Sequence, residues 1–308
     1  MSFESGPPPL TVPEPELGAL PWAHVTGRFR ALDHDFAVRT TDSLMGRYLD
    51  AALAPLSAPG QARRLYSVVA DTKRDPPFAL YLSGQRKLHA ADAELMARLL
   101  LWHVNQEAVR TTTSHLLVHA AVAEHEGTAI LLPAPQESGK STLVAGLVRA
   151  GLGYLTDETA AVDTGSLEVR PYPRSIALDP GSWPLLPDLR PRHGAGLARF
   201  SASQWAVDPR GIRADAIAGP CVPGLVVTPR FEPGAVTRLE PISRADAVMA
   251  LAQQAFNLDL HGRPGLEALG AIARRSSCYR LVMGDLDRAV ELLVEILPTL
   301  TRPCYRPI

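Results

Sequence analysis

The sequence predicts an α/β (α+β) protein in two parts, a small N-terminal module of strands and helices followed by a larger half built on strands and helices. Three observations predict it. Short strand-like runs alternate with segments of helical period along most of the chain. An apolar run, AILLPA, passes directly into Gly139-Lys140-Ser141-Thr142 and then into a helix-period segment, which is the order a phosphate-binding loop requires. And 46% hydrophobic residues in a chain of 308 are ample for a core.

Taken in order, residues 1–22 (MSFESGPPPLTVPEPELGALPW) lack the cationic start and continuous apolar run of a signal peptide, and their prolines disfavour a helix. A flexible or draped arm is expected. Residues 23–112 form the module: strands at FAVRT, LYSVVAD and FALYLSG, an amphipathic helix at TDSLMGRYLDAALAPL, and a long packed helix over 91–109 with Leu95, Met96, Leu99, Leu100, Trp102 and Val104 at helical spacing. Residues 113–300 form the nucleotide-binding half. LLVHAAVAEH and GTAILLPA read as an antiparallel hairpin turning at His125, Glu126 and Gly127, whose second strand delivers the loop. After the loop helix, GLGYLTDETAAVDTGSLEVRPYPRSIALD reads as strand, acidic turn, strand, hairpin turn at Asp163 and a further strand. Residues 183–220, rich in Pro, Arg and Gly, are expected as irregular surface loops that could serve as a lid. Order returns with a buried strand VPGLVVTPRF, helices RADAVMALAQQAF and GLEALGAIARR, a strand CYRLVMG and a final helix DLDRAVELLVEIL capped at Asp285 or Asp287. Residues 301–308 are a tail.

Charge narrows the function classes. Lys and Arg number 31 against 32 Asp and Glu, and no basic run exceeds two adjacent residues, so neither a nucleic-acid nor a membrane surface is indicated. Cys221, Cys278 and Cys304 are too widely spaced for a metal knuckle or a disulfide framework and read as reduced thiols of a cytoplasmic protein.

The loop carries the chemistry. Residues Ala134, Pro135, Gln136, Glu137, Ser138, Gly139, Lys140, Ser141 and Thr142 follow the pattern G-x-x-x-x-G-K-[ST], except that Ala134 stands where the first glycine belongs. Backbone N–H groups curl around phosphate oxygens, the lysine supplies charge and the hydroxyl reaches Mg²⁺. Pro135 removes one N–H donor, and Glu137 is unfavourable beside phosphate unless it faces away. Transfer needs a carboxylate as well, and Asp157 with Glu158 supplies it: a parallel strand neighbouring the loop strand would set the pair beside Lys140 at the strands' carboxyl ends. A solvated turn is the plainer interpretation of such a pair. His119 sits in an apolar strand, where a lone histidine is more often a core residue. Arg174, Arg170 and Arg230 could neutralise developing charge or merely clamp the surface beside prolines.

Several of these segments together resemble one family, the HPr kinase/phosphorylase group and its shorter relatives associated with peptide-modification genes. The segment VHAAVAEHEGTAILLPAPQESGKSTLVAGLVRAGLGYLTDE matches its order of His-bearing strand, hairpin, loop, helix ending in Gly, and strand ending in two acids. PYPRSIAL, VVTPRFEPGA, AFNLDLHGRPGLEAL and CYRLVMGDLDRAVELL look like the related kinases, so the similarity spans about residues 115–298. The resemblance implies a phosphoenolpyruvate-carboxykinase-like P-loop fold with a mixed sheet, ATP and Mg²⁺ as cofactors, and a homo-oligomer. It also implies Asp157 as general base, Ser141 with Glu158 as metal ligands, His119 as the group orienting the acidic pair, and a catalytic role for Lys140. Glu158 replaces the parent's second Asp, and the parent's Arg-Gly-Leu-Gly signature has only PYPRS in its place, so the phosphocarrier substrate is not carried over.

The expected function is therefore an ATP- and Mg-dependent kinase that phosphorylates a Ser or Thr hydroxyl of a peptide or protein, such as a ribosomally made precursor peptide. Two alternatives stand beside it: a catalytically weakened nucleotide- or peptide-binding partner, and an ATPase coupled to another enzyme.

Overall fold

The computed structural model describes residues 17–192 and 196–299. Most of the expected N-terminal arm, the tail and Cys304 lie outside the described residues. The chain divides into two compact units, the first comprising residues 1–111 and 192–203, the second residues 112–191 and 204–308.

Among the described residues the first unit holds a six-stranded sheet with two long helices. Its strands are β1 (His24–Val25), β2 (Phe29–Ala31), β3 (His34–Thr40), β4 (Arg64–Ala70), β5 (Phe78–Leu82) and β6 (Gln85–Ala90), in the order β1-β3-β4-β5-β6 with β2 on β3. Helix α1 (Ser43–Leu53) starts where the Asp42 carboxylate accepts the N–H groups of Leu44 and Met45, and it forms the crossover that makes β3 and β4 parallel. Helix α2 (Ala93–Thr111) buries Met96, Leu100 and Val104 as its period requires, but Trp102 is exposed and Asn105 takes the inward position. The strand β6 escaped the sequence reading because QRKLHA alternates polar outward residues around few apolar ones. In the core His34 stacks on Phe36, and its Nε2 lies 3.0 Å from the Tyr66 hydroxyl, which in turn is 3.2 Å from His103 Nδ1.

The second unit is built on an eight-stranded mixed sheet. Its elements follow as β7 (Leu116–His125), β8 (Thr128–Pro133), α3 (Lys140–Arg149), β9 (Gly153–Thr156), β10 (Thr159–Val162), β11 (Val169–Arg170), β12 (Ile176–Leu178), β13 (Trp205–Val207), α4 (Pro209–Ile212), β14 (Val222–Phe231), β15 (Arg238–Pro241), α5 (Arg244–Gln253), α6 (Leu258–Arg275), β16 (Ser277–Met283) and α7 (Leu286–Ile296). The order is β11-β10-β7-β8-β14-β16-β15, with β9 also on β7 and a separate β12-β13 pair. Strands β8, β14 and β16 are mutually parallel, and the remaining pairs of the large sheet are antiparallel. The expected hairpin turns at Glu126 and Gly127, both at positive φ, as a two-residue turn demands.

Alternation along the strands feeds two cores. Ala121, Ala123, Ile130 and Leu132 face Leu143, Val144 and Leu147 of α3 and Leu286 and Leu293 of α7. Val118, Val122, Ala129 and Leu131 face Ala247 and Leu251 of α5 and Leu269 and Ile272 of α6. Each Leu, Ile or Val among them contributes about 1.5–3 kcal/mol on burial, so both faces of the sheet that carries the loop are anchored by apolar packing. The expected helix at GLEALGAIARR is longer at its N-terminal end and kinked, with Gly262 at φ 51° and Pro264 just beyond. Residues 183–220 are largely irregular, as expected, but include β13 and α4.

Candidate functional site

Strand β7 organises the site because its neighbours change part-way along it. On one side β8 pairs with Ala120–His125 and then departs as the loop, and the stretch after α5 takes over: His119 N–H donates to the Gln254 carbonyl at 2.7 Å and Phe256 N–H to the Leu117 carbonyl at 2.8 Å. On the other side β9 gives way to β10 across Asp157 and Glu158. Thr156 holds that break open, its hydroxyl accepting the N–H groups of Glu158 and Thr159, both at 3.2 Å. His119, the loop and the acidic pair are thus brought together at the place where ladders on both sides are exchanged. The expected arrangement is corrected in one respect. Strand β9 runs parallel to β8 but is not its neighbour, since β7 lies between them.

The loop has the shape its residues predict. Helix α3 begins at Lys140 with no side chain capping it, so its first-turn N–H groups stay open toward the loop. Gly139 sits at φ 87°, a backbone conformation that strains any side-chain-bearing residue, and a Cβ there would also push aside the terminal methyl of Met283, 2.6 Å away. Ala134 is not among the positive-φ residues and is buried, so this backbone does not need glycine at the loop's first position. Glu137 takes a left-handed φ of 61° with its side chain exposed, as do Pro135 and Gln136 in exposure, and Ser138 is half-buried. Lys140 is buried. Its Nζ donates to the carbonyls of Ala134 at 2.8 Å and Pro135 at 2.6 Å, with Ser138 Oγ at 3.5 Å. Burial pushes its pKa down to about 8, with Glu158 and Asp157 pulling the other way. Thr142 Oγ1 lies 2.6 Å from Ser182 Oγ.

The two acids differ in surroundings. The Asp157 side chain is fully buried. Its Oδ2 accepts from Ser141 Oγ at 3.3 Å and Ala177 N–H at 3.0 Å, and its Oδ1 lies 3.2 Å from the Tyr154 hydroxyl and 3.4 Å from Arg174 Nε. The Tyr154 proton is shared, since the Arg174 carbonyl is 2.9 Å away. Burial raises the pKa of Asp157 against the opposing pull of Arg174. Burial also opposes the Arg174 charge, but Asp157 and Glu158 outweigh it and hold the guanidinium above its ordinary range. Glu158 keeps 26% of its side chain accessible and faces His119, with Nε2 3.7 Å from Oε1. His119 is itself fixed by Gln254, whose Oε1 is 3.3 Å from Nδ1, and by the ring of Phe256 at 5.8 Å. Burial, then Lys140, keep this imidazole below its usual pKa, with Glu158 opposing. Arg174 therefore joins the site, whereas Arg230 points outward, 73% exposed and paired with Glu232 at 2.9 Å.

Tyr154, Gln254 and Phe256 were missed by sequence reasoning. Tyr154 stands three residues before Asp157 on its strand, a spacing that carries no chemical signature. Gln254 lies 135 positions from the histidine it holds, and only the fold could join them. A hydroxyl and two carboxylates are hard oxygen donors that suit Mg²⁺. Among the described residues no cluster of three or more His, Cys, Asp or Glu could hold a metal alone, so phosphate oxygens and water would complete its shell.

No family model and no curated protein matches the chain. Among solved structures it is similar to the Hpr(Ser) kinase/phosphatase from Coxiella burnetii, at 13% identity over 59% of this chain and 96% of that one, with a TM-score of 0.27. No described helix is long and apolar enough to cross a membrane.

Proposed function

We propose that this chain is an HPr-kinase-like, ATP- and Mg-dependent phosphotransferase that acts on a hydroxyl of a peptide or protein. The observation that supports this reading is the meeting of loop and acidic pair: Ser141, adjoining the loop lysine, donates to Asp157 at 3.3 Å, with Glu158 next in line and accessible. Magnesium nucleotide would supply the phosphoryl group and its charge neutralisation.

The chain's own residues divide the remaining work. Lys140, released from the carbonyls of Ala134 and Pro135, would hold the β- and γ-phosphate oxygens while the open amides of α3 face them. Asp157, saturated by donors and closed to solvent, suits the task of holding Ser141 and the metal side of the site. Glu158 is the carboxylate that an incoming hydroxyl can reach, so the general-base role passes to it from Asp157. His119 orients Glu158, and Arg174 balances the charge of the pair. Arg230 would have to turn from Glu232 to contribute.

Calorimetry with Mg-ATP on the wild type and on Lys140→Ala tests the reading, followed by transfer of labelled γ-phosphate to candidate peptides. Binding by the wild type that Lys140→Ala abolishes supports it; a wild type that does not bind nucleotide refutes it. A second reading, a nucleotide-binding partner without transfer activity, is favoured by Pro135, which removes a donor from the cradle. Binding without phosphorylated product would select that reading.

A further inference from the structure

Where β8 leaves β7 to become the phosphate loop, residues 254–256 take its place beside the strand. Ala255 bridges Val118 in antiparallel register, so Gln254 and Phe256 project on the face shared by Leu117 and His119. Ala121 and Ala123, of the same alternation on β7, pack against α3. Phe256 therefore stands on the face that carries the loop helix and His119, and its ring lies 5.8 Å from the imidazole. Its backbone is fixed. Phe256 N–H donates to the Leu117 carbonyl at 2.8 Å, and the neighbouring Asn257 accepts the Leu117 N–H at 2.8 Å and donates to the His115 carbonyl at 3.0 Å. The ring is nevertheless 44% exposed, and Leu260, in the first turn of α6, is 58% exposed.

Single exposed apolar side chains are ordinary on a protein surface. Phe256 differs in its mounting and its place. Its main chain is pinned while its ring stays open, so covering the ring costs little further freedom, which is what a recognition residue requires. A hydroxyl brought to Glu158 lies beside His119, whose Nε2 is 3.7 Å from Glu158 Oε1, and the same face continues from His119 to Phe256. The chain on one side of that hydroxyl runs over the ring. Charge recommends no acidic partner here, because Arg263 of α6 is paired with Glu267 at 2.7 Å. We infer that Phe256, with Leu260, is the recognition platform for the acceptor, packing on a large apolar side chain close in sequence to the hydroxyl. An extended chain advances about 3.3 Å per residue, so that side chain belongs to a residue within about three positions of the hydroxyl. This inference rests on the phosphotransferase reading above and adds to it the class of acceptor and the residues that select it.

The test separates the two. Synthetic peptides with a single central Ser or Thr, and with Leu or Ala at each nearby position on either side, are offered with γ-labelled Mg-ATP to the wild type, to Phe256→Ala and to Leu260→Ser. Binding of Mg-ATP to each protein is measured by calorimetry. The wild type is expected to favour Leu over Ala at one position by about tenfold or more in kcat/KM, mostly through KM. Phe256→Ala should bring that ratio to near unity, and Leu260→Ser should reduce it. The ratio decides, because a merely displaced His119 would slow every peptide alike and leave it unchanged. A ratio that survives Phe256→Ala overturns the inference, as does a wild type that uses Leu- and Ala-bearing peptides equally or phosphorylates none of them. So does loss of nucleotide affinity in both variants with the ratio intact, which gives the patch to the nucleotide, or a dimer that Leu260→Ser dissociates with the ratio intact, which gives it to a second copy of the chain. Should Phe256→Ala fail to fold, Leu260→Ser, at an exposed position, decides. Transfer without selection strikes this inference alone, whereas a wild type that does not bind Mg-ATP refutes the phosphate-loop reading as well.

Discussion

Asp157 and Glu158 are adjacent carboxylates with different freedom, and that difference predicts different defects. Asp157→Asn leaves the part-buried Arg174 without its counter-charge, and it weakens the grip on Ser141. Loss of about 1–3 kcal/mol of stability is expected, together with weaker Mg-nucleotide binding. Glu158→Gln, partly open to solvent and near-isosteric, should keep nucleotide affinity and lose transfer by about 10²–10⁴-fold. Denaturant unfolding and single-turnover phosphorylation distinguish the two, and the reverse pattern would return the base role to Asp157. A second residue predicts a pH effect. Burial, then Arg64, holds His34 down to about 4 against an ordinary 6.5, so the unfolded chain binds a proton that the folded chain refuses. The stability His34 confers is whole above the unfolded value and falls as pH drops from 6.5 toward 4. About 2 kcal/mol should be lost between pH 7 and pH 5, and His34→Gln should flatten that slope in urea titrations.

At the scale of elements, the loop is where local rules and function conflict. Glu137 adopts a left-handed backbone that costs a non-glycine residue about 1–2 kcal/mol, and it adds a negative charge to the loop. Glu137→Gly should therefore leave stability within about 1 kcal/mol of wild type and tighten nucleotide binding, whereas Gly139→Ala, strained at a φ of 87°, should weaken it. Weaker binding by Glu137→Gly would show that the side chain contributes to the cradle. The loop, its helix and the hairpin before it were legible in the sequence because each is specified within about a dozen residues by turn chemistry and periodicity. The separation of β8 from β9 by β7 was not, since strand order is set by distant pairings. The same reason hid the stretch after α5, whose Gln254 and Phe256 extend β7 only once the whole sheet exists. Edge strand β15 was passed over because RLEP is short and polar, the usual disguise of an edge. The polar inner site was visible as residue types, His119, Lys140, Asp157 and Glu158, while the division of roles between the acids depended on burial that no spacing encodes.

At the scale of the molecule, the chain is not two beads on a string. It completes most of the first unit, builds half of the second, and then returns residues 192–203 to the first before finishing the second. Phe200 shows what that return contributes, being 1% exposed with its ring stacked on Tyr48 at 4.8 Å, while Ser203 donates through its N–H and hydroxyl to Glu94. For anyone wishing to express the second unit alone, no single cut will serve. Removal of residues 1–111 strands a segment whose aromatic anchor has lost its socket, and such a fragment should bind a hydrophobic dye and aggregate. Splicing a short Gly/Ser bridge in place of residues 192–203 should relieve both symptoms, and persistence of dye binding after the splice would place the sticky surface elsewhere. The same threading makes the two units inseparable by simple loss of a terminus, so any shortened descendant of this chain would have needed two coordinated deletions.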